Sequence, residues 1–285
     1  MARGSPGLSP GHKDMARILD YNAANPKYVL TIDQAGNGDY DNIQGAINYA
    51  NTQTPSSTQQ WLIYVPPGYY EENLTLYDYI NIAGISPDSS FILAPPGGSA
   101  IGNFAKCVIS NMRITSSYDL AIKSGSGSAG KTLTLRNVTC EDSTELLDLI
   151  EITTGSLIID RCNLQIGGSL QLVAGTLKIW DSIITHYHTN GSAATEHTIE
   201  VAAGTTLEII RSSIYNTSPK GSAVYFGGNP TSCKILHSIF KKSAAATYSL
   251  DAGAAVSITM NRCIINAVLN SSITITGMND LDASI

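Results

Sequence analysis

The run CEDSTELLDLIE, residues 140–151, brings five carboxylates close together: Glu141, Asp142, Glu145, Asp148 and Glu151. Two carboxylates held about 5–9.5 Å apart across a glycosidic bond are what acid–base cleavage of a sugar polymer requires. A groove for such a polymer also wants aromatic platforms, and near this run only Tyr118 offers one. The plain reading of the run is a solvated loop between two elements. A second cluster is HYHTNGSAATEH, with His186, His188 and His197. His-x-His on a strand puts two imidazoles on one face, where they could ligate a metal. The Gly, Ser and Ala that follow read instead as a long surface loop. The five cysteines, Cys107, Cys140, Cys162, Cys233 and Cys263, form no close pair and read as small buried residues of a reduced protein. No catalytic residue, metal or cofactor is assigned from these clusters.

Composition limits what could position such groups. The chain has 285 residues, a net charge of −6, only 7% aromatics and 14% charged residues. Small, polar and β-branched residues dominate, which suits a β-rich solenoid with a thin aliphatic core. The negative charge disfavours a nucleic-acid partner. No apolar run is long enough for a membrane span. Residues 1–27 hold no continuous apolar stretch of the secretory kind and read as an arm, with Gly and Pro breaking regular structure.

A repeat organises the rest. CVISNMRI, LTLRNVTC, LIIDRCNL, LKIWDSII, LEIIRSSI, CKILHSIF and ITMNRCII align on the fifth residue of each: Asn111, Asn137, Arg161, Asp181, Arg211, His237 and Arg262. These anchors lie 26, 24, 20, 30, 26 and 25 residues apart. Residues two and four before each anchor, and three after, are apolar throughout. Residues one after are small or apolar. Period-two alternation marks strands, and the phase break at the anchor marks a bend between two of them. A third strand precedes each unit in SLQLVAG, TIEVAAG, AVYFGG and SLDAG, whose glycines Gly175, Gly204, Gly228 and Gly253 suit turns with positive φ. Three strands per coil of about 25 residues predict an all-β, single-stranded parallel β-helix of roughly 9–10 coils and about 40–50 Å, over residues 28–285. A helix near 39–50 caps the first coil with Ile43, Ala46, Ile47 and Ala50, N-capped by Asp39 or Asp41. The C-terminal ITITGMNDLDASI shows no such helix, so its coil must be closed by its own loop or by another chain.

The opening segments TIDQAGNGDYDNIQGAINYA (31–50), WLIYVPPGYYEENLTL (61–76) and YINIAGIS (79–86) resemble the start of pectinesterase and pectate-lyase-like β-helices. That resemblance implies a right-handed coil, entered through a Pro-Gly-x-Tyr-x-Glu turn in which Gly68, Tyr70 and Glu71 form the opening signature. The catalytic motifs of pectinesterases do not follow. SSYDLAIKSGS (116–126) lacks the expected Gln, no Asp-Phe-Ile-Phe-Gly segment exists, and neither Trp61 nor Trp180 lies in Arg-x-Trp. The clustered Asp ligands by which pectate lyases hold calcium are not found either. The same opening resembles phage tail-spike and other virion β-helices.

One pattern points to a partner. Beside the anchors, on the outward face, the later coils carry Trp180, Ile210 and Leu236 one position before, and Ile183, Ile239 and Ile264 two positions after. Stacked coils align these into an apolar stripe, the mark of an interface. Resemblance to virion β-helices implies a homotrimer. The expected function is a non-enzymatic virion protein, made in the host cytoplasm. It would decorate or cement a capsid, or form a short tail spike, and dock through its N-terminal arm. The alternative is a polysaccharide-active enzyme or carbohydrate-binding β-helix, and a surface polysaccharide stays open as a ligand in either case.

Overall fold

The computed structural model describes residues 26, 28–116, 120–142, 148–187, 197–218, 221–242, 248–266, 269–276 and 281–282. Apart from Pro26, the expected arm lies outside them, as do Tyr118, Glu145 and His188. Strands pair in parallel, in register and in one direction. Three parallel sheets form the coil. The first ends at the anchors and has eleven rungs among the described residues, from Tyr28–Thr31 and Trp61–Val65 to Val256–Asn261 and Ile273–Thr276. The second starts just after the anchors, from Gly68–Glu71 to Leu281–Asp282. The third is Ile122–Lys123, Ile150–Ile152, Leu170–Leu172, Ile199–Val201, Val224–Phe226 and Leu250–Ala252. Right-handed crossovers are the rule for parallel strands, because a right-twisted strand packs back onto its sheet only that way. The chain is an all-β right-handed parallel β-helix, and eleven rungs at about 4.8 Å make a rod of roughly 48 Å.

The aligned sequence columns are the core. Leu157 stacks on Leu177 and Leu207, Ile159 on Ile179 and Ile209, Leu164 on Ile184 and Ile214, all fully buried. Every anchor adopts a left-handed conformation, with φ between 48° and 55°. That conformation costs an L-residue about 1–2 kcal/mol, because Cβ crowds the following carbonyl. It is held because the corner N–H then donates to the next coil: Arg161 to the Trp180 carbonyl, Asp181 to Ile210, Arg211 to Leu236, at 3.0 Å each. Anchor side chains also stack. Asn137 donates to Asn111 at 2.8 Å, and Arg211 forks onto both oxygens of Asp181 at 2.6 and 2.7 Å.

The column just after the anchors is more than filler. Ser182, Ser212 and Ser238 are buried, and each hydroxyl donates to the carbonyl two residues back at 2.6–2.9 Å. Each also accepts the backbone N–H of the coil below, Cys162 onto Ser182, Ser182 onto Ser212 and Ser212 onto Ser238, at 3.0–3.2 Å. Cys162 and Cys263 occupy the same column, with Sγ donating to Asp160 and Asn261 carbonyls at 3.4 and 3.3 Å. All five cysteines are buried, and burial pushes the thiols of Cys107, Cys162 and Cys233 up to about 12.

Three local expectations need correction. The helix is Ile43–Thr52, not 39–50, and its N-cap is Asn42, whose side chain accepts Gly45 N–H at 2.6 Å. Asp39 instead accepts Thr31 N–H at 2.8 Å, and Asp41 accepts from the Asn42 amide. The helix does bury Ile43, Ala46, Ile47 and Ala50 over the first coil. Second, Glu71 is exposed; Glu72 completes the opening turn, taking Ile43 and Gln44 N–H on its two oxygens at 2.8 and 2.7 Å. A carboxylate there satisfies orphan donors and faces the positive end of the helix dipole. Third, of the four turn glycines Gly175, Gly204, Gly228 and Gly253, Gly175 and Gly204 have positive φ, at 93° and 75°. Gly253 is needed for space, since a Cβ there would sit 2.6 Å from the Tyr225 hydroxyl.

Candidate functional site

The acidic run does not stay together. Residues 140–142 continue the second sheet, and Ile150–Ile152 belongs to the third. Glu141 pairs with Arg113 at 2.9 Å on the second sheet. Asp142 ends the strand Thr132–Asp142. Asp148 and Glu151 lie on the third sheet's side.

The third sheet positions a set of polar side chains by its alternation. Ile150, Leu170, Ile199, Val224 and Leu250 point into the core, so the next residue on each rung points out. The outward column is Glu151, Gln171, Glu200, Tyr225 and Asp251, in register from rung to rung. Lys123 stands one rung before Glu151 and pairs with it at 3.7 Å. Gln171, Val173, Glu200, Ala202, Tyr225 and Gly227 line a shallow hollow of about 130 Å³.

Each carboxylate in this column meets a different environment. Asp148 Oδ1 accepts the Ser169 N–H at 2.9 Å and its hydroxyl at 2.5 Å. Asp251 Oδ1 accepts the Ala252 N–H at 2.8 Å and the Asn270 amide at 2.5 Å. Glu200 is half-buried and has no hydrogen-bond partner among the described residues. Burial first, and then the charge of Asp148, push its carboxyl above the ordinary glutamate range. A carboxyl that holds its proton more tightly than usual, in a row with other carboxyl groups, has one of the features of a general acid. Glu151 and Asp251 each lie two rungs from Glu200, roughly 9.6 Å along the sheet. That is near the separation of about 6.5–9.5 Å at which one carboxyl group protonates a leaving oxygen and another activates water.

The histidines separate as well. His186 is the last residue of Ile183–His186 and is fully buried in the coil, so the surface-loop reading fails for it. Alternation turns it inward, in register with Ile166 and Asn216. His197 borders the third sheet and stacks on Tyr225, centroids 4.3 Å apart and planes 9° from parallel. Its Nδ1 lies 2.8 Å from the Ser222 hydroxyl and 3.1 Å from the Ser222 N–H, so one serine holds the ring by that nitrogen. Burial lowers its pKa, against an opposing pull from Asp251.

The apolar stripe is present as two columns flanking the corner. Trp180, Ile210 and Leu236 stack in register and are half-buried. Ile239 stacks on Ile264, and Ser213 stands between Ile183 and Ile239 in the same column. Ile183 and Ile264 are 49% and 40% exposed. In earlier coils the same columns hold Arg136, Asp160 and Arg113, with Arg136 paired to Asp160 at 2.9 Å. The ridge is therefore charged and self-paired in its first half and apolar in its second. The Trp180 indole donates to Glu208 at 2.8 Å, which holds the ring along the sheet.

Compared with known proteins, the chain matches no family model and no curated sequence. Among solved structures it is similar to pectin methylesterase PemA from Erwinia chrysanthemi, at 11% identity over 89% of this chain and 81% of that one, with a TM-score of 0.43. It is similar to pectin methylesterase from carrot at 14% identity, over 88% and 77% of the chains, with a TM-score of 0.43. The A-module of mannuronan C-5 epimerase AlgE4 from Azotobacter vinelandii aligns at 12% identity over 84% and 90%, with a TM-score of 0.36. Likeness at this level says nothing of what this chain acts on.

Proposed function

We propose that this chain is a non-enzymatic structural protein of a virion, a homotrimeric β-helix docked to a capsid or tail through its N-terminal arm. The observation that carries the reading is the apolar half-ridge of Trp180, Ile183, Ile210, Leu236, Ile239 and Ile264. A monomeric rod gains nothing from aligned exposed isoleucines, whereas a self-complementary patch excludes water when copies meet. The resemblance of the opening segments to virion β-helices supports the setting. Cysteine cross-linking tests the surface. The five native thiols are buried, so a cysteine placed at Ile264 is the accessible one. Ile264→Cys is expected to give covalent dimers with a short bis-maleimide, and Asn163→Cys, in the polar part of the same ridge, is expected to give none. Equal yields from both would overturn the reading.

The second reading is a polysaccharide-active protein, favoured by the half-buried Glu200 between Glu151 and Asp251. Turnover of acidic or neutral polysaccharides, abolished by Glu200→Gln or Asp148→Asn, would replace the structural reading with this one.

A further inference from the structure

A larger cavity lies beneath the C-terminal end of the capping helix, away from the hollow on the third sheet. Its volume is about 490 Å³. Leu76, Phe104 and Ala105 form an apolar floor. Asn51, Thr75, Tyr77, Asp78 and Lys131 form a polar wall. We propose that this cavity binds a neutral sugar residue, as a site independent of the stripe and of the third sheet.

Charge, shape and free hydrogen-bonding capacity each point that way. Asp78 and Lys131 close an ion pair inside the wall, so the cavity offers no unmatched charge to an ionic ligand. Asp78 also takes the Lys106 N–H at 2.9 Å. Burial works to raise its carboxyl, but that N–H and the Lys131 ammonium hold it below the usual range, so it stays an acceptor. Each of its oxygens has a second lone pair free for a hydroxyl. The side chains of Asn51 and Thr75 have no hydrogen-bond partner among the described residues, so a ligand would displace only water from them. Tyr77, half-buried against the core, adds a ring edge beside the floor. A sugar needs this combination: an apolar surface for its C–H face, with amides and hydroxyls around it for its hydroxyl groups.

The walls are also fixed in place. Asn103 clamps Leu76 through both amide atoms, accepting its N–H at 2.8 Å and donating to its carbonyl at 2.9 Å. Thr54, at the rim, holds φ at 51°, a left-handed conformation that a β-branched residue rarely adopts. The volume falls within the range of small-ligand pockets, about 300–1,000 Å³.

The test is an amide-resolved NMR titration of the full chain with the methyl glycosides of glucose, galactose, mannose and N-acetylglucosamine. Glucuronate and inorganic phosphate serve as charged probes. The proposal expects at least one glycoside to give saturable shifts at Asn51, Thr75 and Asn103, and the charged probes to give none there. Asn51 and Thr75 are exposed, so Asn51→Ala combined with Thr75→Val should leave the unfolding midpoint unchanged. The same double variant should weaken binding by about tenfold, the loss of two hydrogen bonds. The proposal is overturned if no glycoside shifts these amides, if a charged probe binds there as well as the best glycoside, or if the double variant binds unchanged.

Discussion

Replacing Ser212 by alanine isolates the hydroxyl column that runs behind the corners. Ser212 is 2% exposed; its Oγ donates to the Ile210 carbonyl at 2.9 Å and accepts Ser182 N–H at 3.2 Å. Alanine removes that acceptor where water cannot replace it, leaving a buried N–H unsatisfied. Such a group costs about 1–3 kcal/mol. Cysteine should largely restore the arrangement, because Cys162 and Cys263 in this column take backbone hydrogen bonds from Val138 and Ser238 of neighbouring coils. A solenoid can unfold in parts, so a global midpoint dilutes an effect confined to one coil. Amide hydrogen exchange under native conditions reads the site itself. In Ser212→Ala, Ser182 N–H should exchange roughly 5- to 150-fold faster, the exchange equivalent of that cost. Ser212 N–H, which donates to Ser238 at 3.2 Å, should keep its protection. Unchanged exchange at Ser182, or equal effects of alanine and cysteine, would refute the view that the column is held by hydrogen bonds.

Two other substitutions test the ends of the argument. Glu200 has a raised folded-state pKa, so the folded chain binds its proton more tightly than the unfolded chain does. Its contribution is full below the ordinary glutamate pKa and is lost as pH rises through the folded value. Glu200→Gln should therefore stabilise the coil at pH 7 and leave it unchanged near about pH 3.5, in urea melts at the two pH values. Glu72→Gln removes the charge held against the first helical turn and should cost about 1–2 kcal/mol. Faster exchange of the Ile43 and Gln44 amides would report it; exchange matching wild type would show that the cap does not depend on Glu72.

The coil was legible because one pattern recurs seven times, and an inward column that is apolar in every copy admits one register. The corners were legible as breaks in phase, and the left-handed backbone at all seven anchors is the physical form of that break. The serine column was passed over because small residues beside a bend read as space-filling. Serine and cysteine exchanging at one position was the available sign of a shared donor. For the candidate site, closeness in sequence misled. Glu141 and Glu151 lie on different sheets. Glu200, Tyr225 and Asp251 sit on distant segments and meet only through the register of the third sheet. SLQLVAG, TIEVAAG, AVYFGG and SLDAG, aligned on their inward residues, place Gln171, Glu200, Tyr225 and Asp251 in one column; their shared glycines are the more conspicuous signal. Two glutamates follow Tyr70; counted from Pro67, the Pro-Gly-x-Tyr-x-Glu spacing falls on Glu72, and its contacts with the helix N-terminus give the physical reason.

The mass of the purified chain in solution, measured by light scattering over a range of concentrations, tests the proposed assembly most directly. The account predicts a particle of three times 30.2 kDa for the wild type, and a monomer for Ile239→Asp with the coil's circular dichroism retained. A wild-type monomer at every concentration, or a trimer that Ile239→Asp leaves intact, would contradict it.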